Sequence, residues 1–393
     1  MMPLLAVFLL AIAIQLAFYA CCRLLGQSKR DQGDLDATKG KGISIIVCAR
    51  NEADNLRRHL PLWLRQNIFL DKHSESELIV IDDHSTDDTQ GVVKEFCAPD
   101  IPLRLIRPPQ LTRPGKKDAL AYGISQARCD YLLLTDADCR PASEVWAQLM
   151  TDPLKYGAEL VVGHGAYESG PDNKLSIWQV FTAEYHGLQY RCLTRLGWMK
   201  LGVGRNLAYT KDFFYARRGM QSHAHLAGGD DDLLLQSNPV TQGAKAFGGN
   251  EPSWKKTEWP AEVQNNKTAE VVDHPMAWTY SAPTKNWSEY ARRKKRHFSI
   301  GRHYPLRGKV ILGILALSHG LFYLLGLVLL FTPFRWWAIG IYLLRMLFVF
   351  LAYPKPKISW PLLDALLSFY LLWQAILSLF AQTEKEWEIR QMA

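Results

Sequence analysis

The chain has 393 residues, a formal charge of +8 and 48% apolar residues. That length holds one sizeable soluble domain plus a further region. Its cysteines (Cys21, Cys22, Cys48, Cys97, Cys129, Cys139 and Cys192) show no Cys-x-x-Cys pair and no framework spacing, and they read as small buried residues in a reducing compartment.

Leu4 to Cys22 carries no charge. No basic residue precedes it and no small-x-small cleavage signal follows, so the pattern predicts a retained spanning helix over 1–23 rather than a cleaved leader. Arg23, Lys29 and Arg30 follow directly, and such positive flanks mark the cytoplasmic side.

From Gly42 the chain reads as globular sequence. Ile43 to Val47 predicts a buried β-branched strand that ends in Arg50, Asn51 and Glu52, with a helix from Ala53 to about Gln66. ELIVIDDHSTDDT, from Glu77 to Thr89, predicts a second strand that breaks into acids, then a helix from Thr86 to Phe96. Leu103 to Ile106 predicts a third strand. A Pro-rich loop, Arg107 to Pro114, leads to a helix from Gly115 to Ala127, whose amides and Lys116 suit an anion. Strand, polar loop, helix, strand is the rhythm of a parallel sheet.

YLLLTDADC, Tyr131 to Cys139, is the stretch around which the rest is organised. An apolar run from Tyr131 to Leu134 predicts a strand buried on both faces, and it then sets down Asp136 and Asp138. Residues two apart on an extended chain share a side, so both carboxylates can face one point beyond the strand's carboxyl end, where open α/β sheets bind ligands. Two hard oxygen ligands suit Mg²⁺ or Mn²⁺ carrying a substrate's phosphates. Taken alone, an Asp-x-Asp is also an ordinary turn; its neighbours decide.

Further on, Glu159 to Gly163 predicts a strand, and Lys174 to Arg195 an aromatic helix that packs on the core or lies at a membrane surface. GVGRNLAYTKDFF, Gly202 to Phe214, is Gly-rich, but no Val/Ile-rich strand leads into it, which rejects a dinucleotide fingerprint. GGDDDLLLQ, Gly228 to Gln236, sets three consecutive acids before an apolar helix start. Their mutual repulsion requires a raised pKa or a cationic partner. The cluster suits either a helix cap or a general base.

These pieces, in order, resemble the inverting glycosyltransferases of family 2. The carriers are strand-ARNE, strand-DDHSTDDT, GKKDAL, TDADC and GGDDD, across roughly Gly42 to Tyr304. The resemblance implies an α/β GT-A nucleotide-sugar fold with a mostly parallel sheet over 42–290. It further implies that Asp83 reads the nucleobase, that residues around Cys48 to Arg50, with Glu52, line the donor pocket, and that Lys116 lies near the nucleotide. Asp136 would meet the ribose or metal, Asp138 would hold Mg²⁺ or Mn²⁺ on the diphosphate, and Asp231 would be the base with Asp230 as fallback. Membrane polysaccharide synthases of this family carry Gln-x-x-Arg-Trp after the base. Here Arg293-Lys-Lys-Arg296-His297 stands in that place, so only Arg296 matches, and Arg296 with Arg293 would clamp the diphosphate.

The end of the chain is basic, then apolar. Arg292, Arg293, Lys294, Lys295, Arg296, Arg302, Arg307 and Lys309 form a juxtamembrane segment over 291–309. Anionic headgroups explain this charge better than nucleic acid, at about 1 kcal/mol per basic residue near the surface. Val310–Phe331, Trp336–Ala352 and Ile358–Phe380 predict a C-terminal transmembrane region of two to three helices over 310–381, with Arg345 and Asp364 costly in lipid unless they pair or snorkel.

The expectation is thus a multi-pass plasma-membrane enzyme with a cytoplasmic catalytic domain. It would move a sugar from a UDP-sugar or another nucleotide-sugar to a lipid-linked or envelope glycan acceptor. A processive polysaccharide synthase, a nucleotidyltransferase and a catalytically idle membrane scaffold are the alternatives, and the intact acids argue against the scaffold.

Overall fold

The structure is a computed structural model, and it describes residues 2–25, 42–70, 75–109, 116–168, 174–224, 226, 228–239, 269–353 and 360–380. The chain divides into two compact units. Among the described residues, one unit falls within 30–168 and 200–282, the other within 1–29, 169–199 and 283–383.

The first unit is built on a seven-stranded sheet. Its strands β1 (Ile43–Ala49), β2 (Glu77–Asp82), β3 (Leu103–Ile106), β4 (Tyr131–Asp136), β6 (Leu160–Val162), β8 (Leu207–Thr210) and β9 (Ala269–Val271) lie in the order β3-β2-β1-β4-β8-β6-β9. β3, β2, β1 and β4 run parallel, β8 is antiparallel to both its neighbours, and β9 is parallel to β6. The near-continuous apolar runs of β1, β2 and β4 are what a parallel sheet covered on both faces requires, and these strands are buried almost throughout.

Helices α2 (Ala53–Leu64), α3 (Thr89–Glu95), α4 (Lys116–Gln126) and α5 (Trp146–Lys155) connect the strands. α2 turns Leu56, Leu60 and Trp63 inward, α5 does the same with Trp146, Met150 and Leu154, and both join the core beneath β1 and β4. α4 approaches the sheet so closely at Gly123 that a Cβ there would meet Ile81 Cδ1 at 2.1 Å. A smaller sheet sets β10 (Thr279–Ser281) between β5 (Cys139–Pro141), antiparallel, and β7 (Gly165–Tyr167), parallel.

The chain winds outward from β1 through β2 to β3, then returns to place β4 on the other side of β1. The strand order therefore reverses between β1 and β4, and a crevice opens at the carboxyl ends of such neighbours. Register puts Cys48 beside Asp136 there.

Two elements depart from the sequence reading. β4 continues past Leu134 to Asp136, because Thr135 and Asp136 keep their pairing with Val47 and Cys48. α3 starts at Thr89 rather than Thr86, because the Thr86 amide donates to Asn51 Oδ1 at 2.8 Å instead of opening a helix. Gly115 and most of the Pro-rich loop lie outside the described residues.

The second unit is helical: α1 (Met2–Leu25), α6 (Lys174–Arg195), α9 (Trp287–Ser299), α10 (Leu306–Leu329), α11 (Arg335–Ala352) and α12 (Trp360–Phe380). α1, α10, α11 and α12 are long and apolar enough to cross a membrane. The aromatic α6 groups with them, Phe181 meeting Trp360 edge-on at 5.6 Å and Trp178 meeting Tyr370 at 5.5 Å. Asn286 caps α9 by accepting from the Glu289 amide at 2.9 Å. α9 buries Tyr290 and Phe298 and exposes Arg292, Lys295 and Arg296.

Arg345 and Asp364 are wholly buried and paired. Tyr323 donates to Asp364 at 2.5 Å, Arg345 reaches His319 Nδ1 at 3.0 Å and donates to Gln15 Oε1 at 3.2 Å, and Gln15 donates to Ser318 at 2.8 Å. Polar groups from α1, α10, α11 and α12 thereby partner one another, leaving Arg345 Nε without a hydrogen bond among the described residues, and this network is what makes two buried charges tolerable.

Candidate active site

The ends of β1 and β2 are laced together first. Asn51 takes a left-handed backbone, φ 57°, and its amide donates to Ser85 Oγ at 3.0 Å, while the Glu52 amide donates to Thr89 Oγ1 at 3.0 Å. Of the two acids closing β2, Asp82 is structural: it is fully buried, accepting from the Ser85 amide at 2.9 Å and from Gln90 Nε2 at 2.6 Å.

Asp83 is different. Its amide donates to the Ala49 carbonyl at 2.8 Å, fixing it beside β1, but its buried Oδ1 has no hydrogen-bond partner among the described residues. Burial pushes its carboxyl up to about 6, with the charges of Asp82 and Asp118 adding to the rise and Arg50 opposing it. A buried acceptor of this kind suits a donor supplied by a ligand.

At the end of β4, the ligand atoms of Asp136, Asp138 and Cys139 lie within 4.8 Å of one another. The donor set fits a hard divalent cation through the two carboxylates. The Cys139 thiol does not compete, because burial and then the neighbouring Asp138 and Asp136 charges push it well above its usual range. His59 on α2 contacts the Ala137 carbonyl through Nδ1 at 2.9 Å, holding the residue between the two acids.

Lys116, first residue of α4, pairs with Asp136 and lies 3.5 Å from Asp230. Cys48 lies among these charges, within reach of Lys116, Asp83, Asp230 and Asp136, and burial pushes its thiol up. Glu52 is half-buried and raised by burial, with the Asp138 and Asp136 charges adding to the shift.

Asp231 caps the short helix α8 (Asp232–Gln236), accepting from the Asp232 amide at 2.7 Å and from the Gly204 amide at 2.9 Å. Burial and the adjacent Asp230 charge push its carboxyl up to about 6. Burial works to raise Asp230, but the Lys116 ammonium, a main-chain hydrogen bond and Lys117 together outweigh it and hold that carboxyl below the usual range. The repulsion expected among consecutive acids is resolved by dividing roles: one carboxylate is paired with a lysine, the other is poised near neutrality.

Nine sequence-derived candidates therefore belong to one unit: Cys48, Arg50, Glu52, Asp83, Lys116, Asp136, Asp138, Asp230 and Asp231. Arg293 and Arg296 lie on α9 in the helical unit, Arg293 at 3.8 Å from Glu289. The sequence reading missed His59 and the Gly204 amide. Gly202 to Arg205 precedes β8 instead of following a strand, consistent with rejecting a dinucleotide loop; its Gly-rich character was the signal for a backbone contact.

Comparison with known proteins bears on the family and the fold. Residues 44–213 match the model of Glycosyl transferase family 2. The chain is 28% identical over 180 residues to a poly-beta-1,6-N-acetyl-D-glucosamine synthase of Staphylococcus aureus, covering 44% of this chain and 39% of that protein. It is 31% identical over 100 residues to the probable glycosyltransferase YdaM of Bacillus subtilis, covering 25% of this chain and 23% of the relative. The chain thus spans well under half the length of these curated relatives. In fold it is similar to a mannosyltransferase from Pyrobaculum calidifontis solved with GDP-Man and Mn²⁺, with a TM-score of 0.54 and 17% identity over 96% of this chain and 98% of that one. The sheet unit has a GT-A-like fold with its acids gathered where the strand order reverses, and residues 44–213 are similar to Glycosyl transferase family 2.

Proposed function

We propose that the chain transfers a sugar from a nucleoside diphosphate sugar to a hydroxyl of a lipid-linked or envelope glycan acceptor, with inversion at the anomeric carbon. The observation that carries this reading is the gathering of Asp136, Asp138, Lys116 and the Asp230–Asp231 pair at the carboxyl ends of β1 and β4.

Asp83 accepts from the nucleobase through its unpartnered oxygen, beside Cys48 and Arg50. Asp138, with Asp136, holds Mg²⁺ or Mn²⁺ on the diphosphate. When bound, that cation supplies Lewis-acid stabilisation of the departing diphosphate. Lys116 adds a second positive charge on the same side. Asp231 takes the acceptor hydroxyl's proton, and the oxygen attacks the anomeric carbon. The bond from that carbon to the diphosphate oxygen breaks, and the nucleoside diphosphate leaves with the electron pair. Asp230, paired with Lys116, stays ionised and keeps the proton affinity of Asp231 high. Arg293 and Arg296 contribute to holding the diphosphate, α1 and α10 to α12 anchor the protein in the plasma membrane, and the sheet unit is cytoplasmic, as the basic flanks of the apolar segments indicate.

A processive synthase is the second reading, favoured by the likeness to the Staphylococcus aureus synthase. Arg293-Lys-Lys-Arg296-His297 in place of Gln-x-x-Arg-Trp weighs against it. Full-length protein in detergent, incubated with UDP- and GDP-sugars and Mn²⁺, is the test. Release of nucleoside diphosphate supports the transferase, a long product supports the synthase, and no turnover of any nucleotide-sugar refutes both.

A further inference from the structure

Consecutive lysines open α4, and only the first is used above. Lys117 is buried, and its ammonium donates to the carbonyls of His223 at 2.6 Å and Leu226 at 3.0 Å. Neighbours on a helix point about 100° apart, so the two ammonium groups serve different targets. Lys116 takes the side chains of Asp136 and Asp230; Lys117 takes the main chain of the segment that leads into Gly228–Asp232.

The described residues of that segment are irregular. Arg218 and Gly219 take positive φ of 59° and 51°, a single tight turn covers Gln221–His223, and Gly229 takes φ 81°. The His223 carbonyl already accepts from the Leu226 amide at 3.1 Å, so the Lys117 ammonium adds a second bond there and supplies a donor to the Leu226 carbonyl, in a path with no regular ladder. A buried ammonium is a costly choice, since an uncharged side chain would fill the same volume without desolvation. The charge is also felt at the acids. Against the effect of burial, Lys116 chiefly and Lys117 in addition keep Asp230 ionised.

We propose that Lys117 is a positioning residue for the acid pair, fastening the backbone of the acid loop to the helix whose first residue already grips the Asp230 carboxylate. α4 thus meets the loop at two points, one main-chain and one side-chain, and the carboxylate of Asp231 is set relative to the donor by the helix that also faces the diphosphate. This inference rests on the transferase reading above.

The test uses Lys117→Met in full-length protein in detergent, with Lys117→Arg as a variant that keeps the charge. Amide hydrogen exchange over residues 220–236, calorimetric binding of UDP and of GDP with Mn²⁺, and turnover of the nucleotide-sugar accepted by wild type are measured together. Lys117→Met is expected to speed exchange in that segment about tenfold or more and to lower kcat about 30-fold, with nucleotide affinity and donor KM within about twofold. Lys117→Arg should keep the segment protected.

Unchanged exchange over 220–236, or nucleotide affinity falling in step with kcat, overturns the proposal. So does exchange rising equally in β1 and β4, since that marks a residue of general stability. If wild type turns over no nucleotide-sugar, the transferase reading fails by itself, while the exchange result still decides whether Lys117 fastens the loop.

Discussion

The Gly204 amide donates to Asp231 Oδ2 at 2.9 Å, across a separation of 27 residues. With the Asp232 amide on Oδ1, each oxygen of this carboxylate accepts one main-chain bond. An ionised carboxylate has about four acceptor sites, so Asp231 is fixed in orientation yet retains capacity for an acceptor's hydroxyl. A loop that reads in the sequence as a weak glycine motif thereby becomes part of the candidate base's support.

Asp231→Asn should abolish transfer while the protein stays folded and membrane-bound. Asn is as good a helix cap as Asp and its oxygen still accepts from one of the two amides, but it takes up no proton from the acceptor. Removal of a general base costs about 10²–10⁴ in rate. Turnover is measured beside circular dichroism of the purified variant. Wild-type turnover would remove Asp231 as base.

The rate should rise with pH through about 6 and level off above it, because Asp231 acts only after losing its proton. Lys116 lowers the proton affinity of Asp231, so Lys116→Met should move this limb to higher pH. Stability runs the other way. The folded carboxyls of Asp231 and Asp83, both raised from 3.8 to about 6, bind protons more tightly than their unfolded forms. Their contribution is fully present below about 4, and falls as pH rises through about 6. Thermal unfolding of wild type and Asp83→Asn across that range checks the sign: the variant should lose part of the decline.

Activity should require added Mg²⁺ or Mn²⁺ and vanish on chelation, with Asp138→Asn losing Mn²⁺ binding by calorimetry as well as turnover. Asp136→Asn should do the same and also release Lys116, which pairs with it. Full activity after exhaustive chelation contradicts the assignment of these carboxylates to a metal.

Much of the site was legible because its residues follow buried strands. Ile43 to Val47 and Glu77 to Ile81 announce parallel strands by apolar content alone, and the acids that end such runs mark the ligand edge. The residue pattern also offers Asp136 and Asp138 as a metal pair, and the family resemblance implies Asp231 as the base. Pattern alone does not separate Asp82 from Asp83; the family resemblance points to Asp83, and the physical reason is that Ser85 and Gln90 consume the oxygens of Asp82. His59 was invisible because its partner, Ala137, lies 78 residues away, and helix periodicity says nothing of what a polar face meets. Sheet register has the same character. That Cys48 stands beside Asp136 follows from strand order, which no local pattern encodes.

The buried pair Arg345–Asp364 carries the last prediction. Removing one charge leaves the other buried among neutral partners only, and such a loss costs about 3–5 kcal/mol. Arg345→Leu and Asp364→Leu should therefore each lower thermal stability in detergent sharply. The double substitution should be less harmful than the sum of the two, since it leaves no unpaired charge. His319 and Gln15, which contact Arg345 at 3.0 and 3.2 Å, and Tyr323, which donates to Asp364 at 2.5 Å, would then be neutral polar groups with one another to satisfy. Because these contacts join α1, α10, α11 and α12, the single variants should also loosen the helical unit as a whole, read as proteolysis near Thr332, between α10 and α11. Additive losses in the double-mutant cycle would show that the two charges are not energetically coupled.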